Sequence, residues 1–341
     1  MTDKTITASV YARTDLGQSR EHNEDTFFVA DLTSGSSRLE SELAECVVGP
    51  RGLLFLVADG MGGAAAGELA SAMAADLIYG HLMGTWAKES DEEVTEERFT
   101  MRLREAVELA NLQINTYAKD HLEVRGMGTT ATVAGIFGRN LYLAQVGDSR
   151  AYVVRHSLAV QLTKDQSLTQ RLVDAGELTE EEAEASVRRN IILQALGPDP
   201  KIAVDLTTQE LRRGDTLVLC SDGLSGQVKR EEIAEMVNRE SNLEMLGTQL
   251  IDLANERGGP DNITVVIAKF DGKGLDPPDR QDPEYQLYDD GEGEEDEEII
   301  VAPPVVPPVV EPAKRTGSPA GMALLVVGAI VVLLAIFLAL V

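Results

Sequence analysis

Histidine and cysteine are scarce in this chain, with four and two among 341 residues. His22, His81, His121 and His156 show no zinc-ligand spacing, and Cys46 lies far from Cys220. A disulfide framework is thereby excluded, and a reducing compartment fits best. The cysteine-nucleophile signature C-x5-R is absent: Arg51 comes one residue too early after Cys46, and Gly226 holds the sixth place after Cys220. "GLSGQ" is not a G-x-S-x-G elbow, and no Walker A loop occurs. Cations are also few. Thirty Lys and Arg face 57 Asp and Glu, a formal charge of −27 that argues against broad nucleic-acid binding. Aromatics make up only 4%, so the core must come from Val, Leu, Ile and Ala. The first ten residues, "MTDKTITASV", lack an apolar run, and no signal peptide is expected.

What is present divides the chain into three zones. Residues 1–270 alternate strand and helix patterns and form the expected globular domain. Residues 271–319 are acidic ("DDGEGEEDEE" holds eight acids and no base) and then Pro/Val-rich, a composition expected to form a disordered linker. As a coil, such a linker would reach about 40 Å. Residues 321–341, "GMALLVVGAIVVLLAIFLALV", carry no charge. As a helix they would span about 31 Å, against roughly 30 Å of hydrocarbon. A single C-terminal transmembrane anchor is expected, with Lys314 and Arg315 placing the large N-terminal part in the cytoplasm.

Short apolar runs at 53–58, 130–137, 141–146, 216–220 and 263–270 predict buried strands. Residues 67 to about 83 and 96 to about 119 predict helices, the second with a stripe at Phe99, Leu103, Val107, Ala110 and Ile114. The turn in "FGRNLY" joins two strands antiparallel. Against this frame, carboxylates recur where strands begin or end: Asp59 in "LVADG", Asp148 in "AQVGDSR", Asp222 in "LVLCSDG", Asp261 in "GGPDNITVV", with Glu24 and Asp25 in "SREHNED". One such aspartate is ordinarily a turn residue or a helix cap. Several converging would repel one another unless a divalent cation reversed the penalty. An oxygen-only set selects Mg²⁺ or Mn²⁺ over zinc, and the bare backbone at Gly60 offers a carbonyl. "GMGGAA" also satisfies a loose dinucleotide-binding pattern, but an acid at the end of a following strand is missing.

The motifs "TDLGQSREHNEDTFFV", "LFLVADGMGGAAAGELAS", "GMGTTATVAG", "AQVGDSRAYVVR", "LTKDQSLTQRLVDAGELTEEEA", "LQALG", "GDTLVLCSDGLSGQV" and "GGPDNITVVIAKF" appear in one order. That ordered set resembles the metal-dependent type 2C Ser/Thr protein phosphatases in their bacterial form, over residues 10–270. The resemblance implies an α+β fold: a four-layer αββα sandwich of two antiparallel sheets flanked by helices. It implies that Asp59 bridges two metals, Gly60 gives its carbonyl to the first, and Asp222 and Asp261 complete the second. Glu24 and Asp25 would hold metal-bound waters, Arg20 would grip the substrate phosphate, and Asp148 with Asp222 resembles a looser third-metal site. The implied reaction is hydrolysis of phosphoserine and phosphothreonine in proteins by a water bridging the metals. The implied substrates are phosphorylated proteins, with a membrane Ser/Thr kinase the expected partner by family analogy. The second reading is a membrane-anchored pseudophosphatase that binds phosphoproteins without turnover. Met61 and Ala64 stand where many members have His, "DQS" at 165–167 replaces the usual D-H-S, and "SVRRN" lacks the usual His-Pro. The last two fall in the expected flap, about 164–200, and bear on substrate choice.

Overall fold

The computed structural model describes residues 5–38, 44–278 and 281–288. The acidic run 289–298 and the apolar stretch 321–341, on which the expected anchor rests, lie outside the described residues. Among the described residues no helix is long and apolar enough to cross a membrane.

The strands in chain order are β1 (Thr7–Asp15), β2 (Asp25–Asp31), β3 (Ser36–Arg38), β4 (Ala44–Val47), β5 (Leu53–Met61), β6 (Gly128–Thr129), β7 (Ala131–Phe137), β8 (Asn140–Val146), β9 (Arg150–Arg155), β10 (Leu158–Gln161), β11 (Asp205–Glu210), β12 (Thr216–Cys220) and β13 (Ile263–Asp271). The helices are α1 (Ala64–Gly84), α2 (Glu96–Asp120), α3 (Leu168–Asp174), α4 (Glu180–Glu184), α5 (Asp222–Ser225), α6 (Arg230–Arg239) and α7 (Leu243–Glu256). Two antiparallel sheets form, one ordered β10-β9-β12-β13-β1-β4 and the other β11-β8-β7-β5-β2-β3, with β6 paired to β5. The expected strands and both long helices are all present. The "FGRNLY" turn is the β7–β8 hairpin, with Phe137 opposite Asn140 and Gly138 at φ 58°.

Side-chain parity explains the layering. Along β5, Leu54, Leu56 and Ala58 join a core against α1 and α2, built with Ala70, Ala74, Ile78, Phe99 and Leu103. The alternate residues Leu53, Phe55 and Val57 face the other sheet, with Val10, Phe27, Leu219, Val266 and Ala268. A third core sets Tyr11, Val218 and Ile267 against Leu246, Leu250 and Ile251 of α7. Both faces of each sheet are therefore covered, so the central strands read as unbroken apolar runs instead of alternating ones. The same parity carries Asp59 and Asp25 to the inter-sheet side, where the apolar filling stops.

Three sequence expectations need adjustment. Asp59 does not end its strand, because β5 continues to Met61 by pairing Gly60 and Met61 with β6. Helix α1 starts at Ala64, three residues before the predicted start. The compact body also extends past residue 270, where the linker was expected to begin: Leu275 is buried, and 281–288 lies along β11. In this strap Thr208 N donates to Gln286 O at 3.1 Å and Tyr288 N donates to Leu206 O at 2.9 Å. The Tyr288 ring meets Tyr142 edge-on at 5.8 Å. An acidic composition conceals this pairing, but β11 offers an unpaired edge and one aromatic suffices to seat the strap.

Candidate metal centre

The inter-sheet gap opens at one end into a cluster of carboxylates. Asp25 and Asp59 are direct partners across β2 and β5, a register that sets their Cβ atoms about 5 Å apart. Asp25 Oδ2 accepts from Ser221 Oγ at 2.7 Å and from Thr264 Oγ1 at 2.6 Å. Its Oδ1 is buried without a hydrogen-bond partner. Asp59 is fixed through its backbone: its N donates to Thr130 Oγ1 at 2.9 Å, and its carbonyl accepts from Thr130 N at 2.9 Å. Asp222 opens α5 directly after β12, and its carboxyl lies within hydrogen-bonding reach of Asp59. Two carboxylates hold such a contact only by sharing a proton or a cation.

Asp261 precedes β13 and accepts from Arg20 Nη2 at 2.7 Å. The guanidinium expected to grip substrate thus rests on an expected metal ligand, and half of it is exposed at the rim. Asn262 is a keystone that the sequence reading passed over. Its Oδ1 accepts from Glu24 N at 2.8 Å, and its Nδ2 donates to Leu16 O and His22 O, both at 3.0 Å. One side chain therefore fixes the loop that carries Arg20, Glu24 and Asp25. Ser221, Thr264 and Thr130 were missed as well. Their signal was adjacency, since each stands within a quoted motif beside an acid or a buried run.

Gly60 sits where three stretches of backbone converge. A Cβ there would overlap the Gly67 carbonyl and approach Glu24 O, and a Cβ on Gly67 would overlap the Glu24 carboxylate. The glycines of "DGMGGAAAG" thus let β5, α1 and the Glu24 loop meet, which is a steric requirement in addition to baring a carbonyl. Asp148 follows β8 in a turn begun by Gly147 at φ 104°, and its Oδ1 is also buried without a partner. Gln145 Nε2 braces that turn through Gly147 O at 3.1 Å and Ser149 O at 2.9 Å.

Burial and mutual repulsion push these acids toward protonation. Asp25 rises to about 7, through burial and then the charges of Asp222 and Asp261, despite its two hydroxyl donors. Asp148 rises to about 8 through burial and Asp222. Asp222 rises to about 6 through burial and Asp261. Asp59 is held well above the usual carboxylate range by burial and then by Asp25, Asp222 and Asp148. Glu24 is raised chiefly by burial. Such clustering marks a functional site.

The donor set fits hard divalent cations. Asp25, Asp148 and Asp222 each present one buried oxygen with no hydrogen-bond partner, an arrangement that costs free energy unless a cation completes it. Among the described residues no three His, Cys, Asp or Glu side chains already meet as a metal cage. Ions here would be held by few carboxylates each, with carbonyl and water oxygens filling the octahedron, as Mg²⁺ favours.

Residues 42–264 match the family model "Protein phosphatase 2C". The "Serine/threonine phosphatase stp" of Listeria monocytogenes is 37% identical over 259 residues, 76% of this chain and 94% of that protein. The crystal structure of the Mycobacterium tuberculosis serine/threonine phosphatase PstP/Ppp superposes with a TM-score of 0.64 at 34% identity, covering 78% of this chain and all of that one. A second structure, the PstP catalytic domain in complex with two manganese ions, gives a TM-score of 0.62 at 33% identity, with 78% and 100% covered.

Proposed function

The chain belongs to the protein phosphatase 2C family, whose members are metal-dependent Ser/Thr phosphatases, and we propose that the carboxylate cluster hydrolyses phosphoserine and phosphothreonine on proteins. The observation that carries this reading is the set of three buried, unpartnered carboxylate oxygens on Asp25, Asp148 and Asp222. Asp59, Asp222 and Asp261 would hold two Mg²⁺ or Mn²⁺ ions with the Gly60 carbonyl, and Asp148 with Asp222 a third. When bound, such ions supply Lewis acidity toward the phosphoryl group and a water that is nucleophilic near neutral pH.

The remaining work falls to the chain. Ser221 and Thr264 hold Asp25 in one orientation, so that its free Oδ1 and the Glu24 carboxylate can accept from waters in the cleft. Arg20, once drawn from Asp261 toward a phosphate, offers a planar fork that matches two phosphoryl oxygens. No side-chain nucleophile is needed, and Cys220 is unfit to be one. It points with Val218 into the helix-side core, and burial pushes its thiol up to about 12.

The test is hydrolysis of para-nitrophenyl phosphate and a phosphothreonine peptide with Mn²⁺, Mg²⁺ or EDTA, by wild type and Asp222→Asn. Activity that needs metal and collapses in the variant supports the proposal. Metal binding without turnover of either substrate refutes it and favours the pseudophosphatase reading. We propose further that residues 321–341 anchor the chain, with the catalytic domain on the cytoplasmic face, near membrane Ser/Thr kinases and their substrates. The support is an uncharged run of 21 residues preceded by Lys314 and Arg315. Recovery of the full chain in the soluble fraction after cell lysis would refute the anchor.

A further inference from the structure

Two consecutive residues at the base of the flap bracket the Asp148 turn. Arg150 donates to Asp165 through Nε to Oδ1 at 2.9 Å and Nη2 to Oδ2 at 2.7 Å. On the other side of Asp148, Gly147 N donates to Gln166 Oε1 at 2.9 Å, and Gln166 N donates back to Gly147 O at 2.9 Å. The other end of the same amide turns away from the site. Gln166 Nε2 donates to Asp205 Oδ2 at 3.0 Å, the first residue of β11, and to Ala203 O at 3.3 Å. Its carbonyl accepts from Leu193 N at 2.7 Å, where the chain returns from the flap. The half-buried Gln166 side chain thus links the Asp148 turn to the head of β11, while its backbone joins that turn to the segment returning from the flap.

We propose that Gln166 is a positioning residue for Asp148: it fixes the 147–150 turn to the flap base and to β11, and so keeps the Asp148 carboxylate open to a cation. A buried carboxylate oxygen without a partner is costly, and a shift of the backbone beneath it would carry Asp148 toward other donors or solvent; a clamp on the turn closes that route by fixing where its Cβ sits. Gly147 stands at φ 104° with no room for a Cβ beside Thr130, and the turn is held by the Gln166 backbone N–H together with the side chains of Gln166 and Gln145. The half of this inference that concerns a cation rests on the metal reading above; the clamp does not.

The experiment uses the full chain with Gln166→Leu, which keeps the bulk and removes both polar ends, and Gln166→Glu, which sets a carboxylate against Asp205. A third variant, Gln166→Glu with Asp205→Asn, restores the contact with donor and acceptor exchanged. Amide exchange is read on the metal-free protein, and Mn²⁺ binding by calorimetry. Gly147 is expected to exchange about fivefold faster or more in the single variants, the worth of one hydrogen bond. The weakest Mn²⁺ step should lose roughly 10- to 100-fold in affinity while the tighter steps hold. The double variant should recover both. Unchanged Gly147 exchange and an unchanged Mn²⁺ isotherm in Gln166→Leu would overturn the proposal. So would equal acceleration at Leu193, whose partner is the Gln166 backbone, because that marks general loosening of the flap. A wild-type chain that binds no Mn²⁺ refutes the metal reading instead, and the Gly147 exchange rate then decides the clamp by itself.

Discussion

Replacing Asp222 with asparagine should stabilise the metal-free protein while abolishing its response to metal. In the fold the Asp222 carboxyl is carried from an ordinary 3.8 to about 6, by burial and then by the charge of Asp261. At ~1.4 kcal/mol per decade of proton affinity, keeping it ionised costs about 3 kcal/mol. A group whose folded value is raised carries no penalty below its unfolded value and the full penalty above its folded one. The cost is therefore mostly gone near pH 4, absent below about pH 3 and complete by pH 8. Asparagine keeps the shape and a hydrogen-bonding contact for Asp59 and carries no charge. Thermal unfolding in EDTA should show the variant roughly 6–12 °C more stable at pH 8, at about 2–4 °C per kcal/mol for a domain of this size. The difference should shrink to about 1–2 °C by pH 4. With Mn²⁺ at 100 times its dissociation constant, wild type should regain about 2.7 kcal/mol and the variant much less. Loss of stability at pH 8 in the metal-free variant, or an equal gain at pH 4 and pH 8, would refute the electrostatic argument.

Three other outcomes follow from the same geometry. Because burial and mutual repulsion raise Asp25 to about 7, Asp148 to about 8, Asp222 to about 6 and Asp59 well above the usual carboxylate range, metal binding at pH 6 should expel about two protons or more, and fewer as the pH rises. Calorimetry in buffers of different ionisation enthalpy measures this, and pH-independent proton release would contradict it. Gly60→Ala should cost roughly 2–3 kcal/mol by overpacking the junction with Gly67 and Glu24 and should reduce activity, as read by urea unfolding and turnover. At the opposite end of the sheet, Arg155 and Asp215 form a buried pair through Nε–Oδ1 at 2.9 Å and Nη2–Oδ2 at 2.8 Å. Asp215→Ala should cost about 3–5 kcal/mol by stranding the guanidinium, with turnover per folded molecule unchanged.

Much of this is legible in the sequence. The continuous apolar runs of β5, β12 and β13 announce strands covered on both faces, and the acids beside them announce a cation site free of His and Cys. The stripe on α2 is buried as its spacing requires, with Thr95 capping the helix through Arg98 N. The residues that support the site were harder to see. Thr264, Ser221 and Asn262 look like ordinary strand and turn residues, because their roles lie in contacts with Asp25 and Glu24 across about 200 positions of sequence. The strap 281–288 was hidden by its composition, which says nothing about an open edge elsewhere in the fold.

The sequence by itself determined the family and the pattern of buried strands, and it supplied the oxygen donors on which the proposed metal chemistry rests, because these depend on residue type and local order. The tertiary structure decided the rest. It set Asp25 opposite Asp59 by strand register, left one oxygen of Asp25, Asp148 and Asp222 without a partner, rested Arg20 on Asp261, and tied the flap to Asp148 through Gln166. Each of these is a distance between residues far apart in the chain, fixed only when two sheets and their helices close around a shared core.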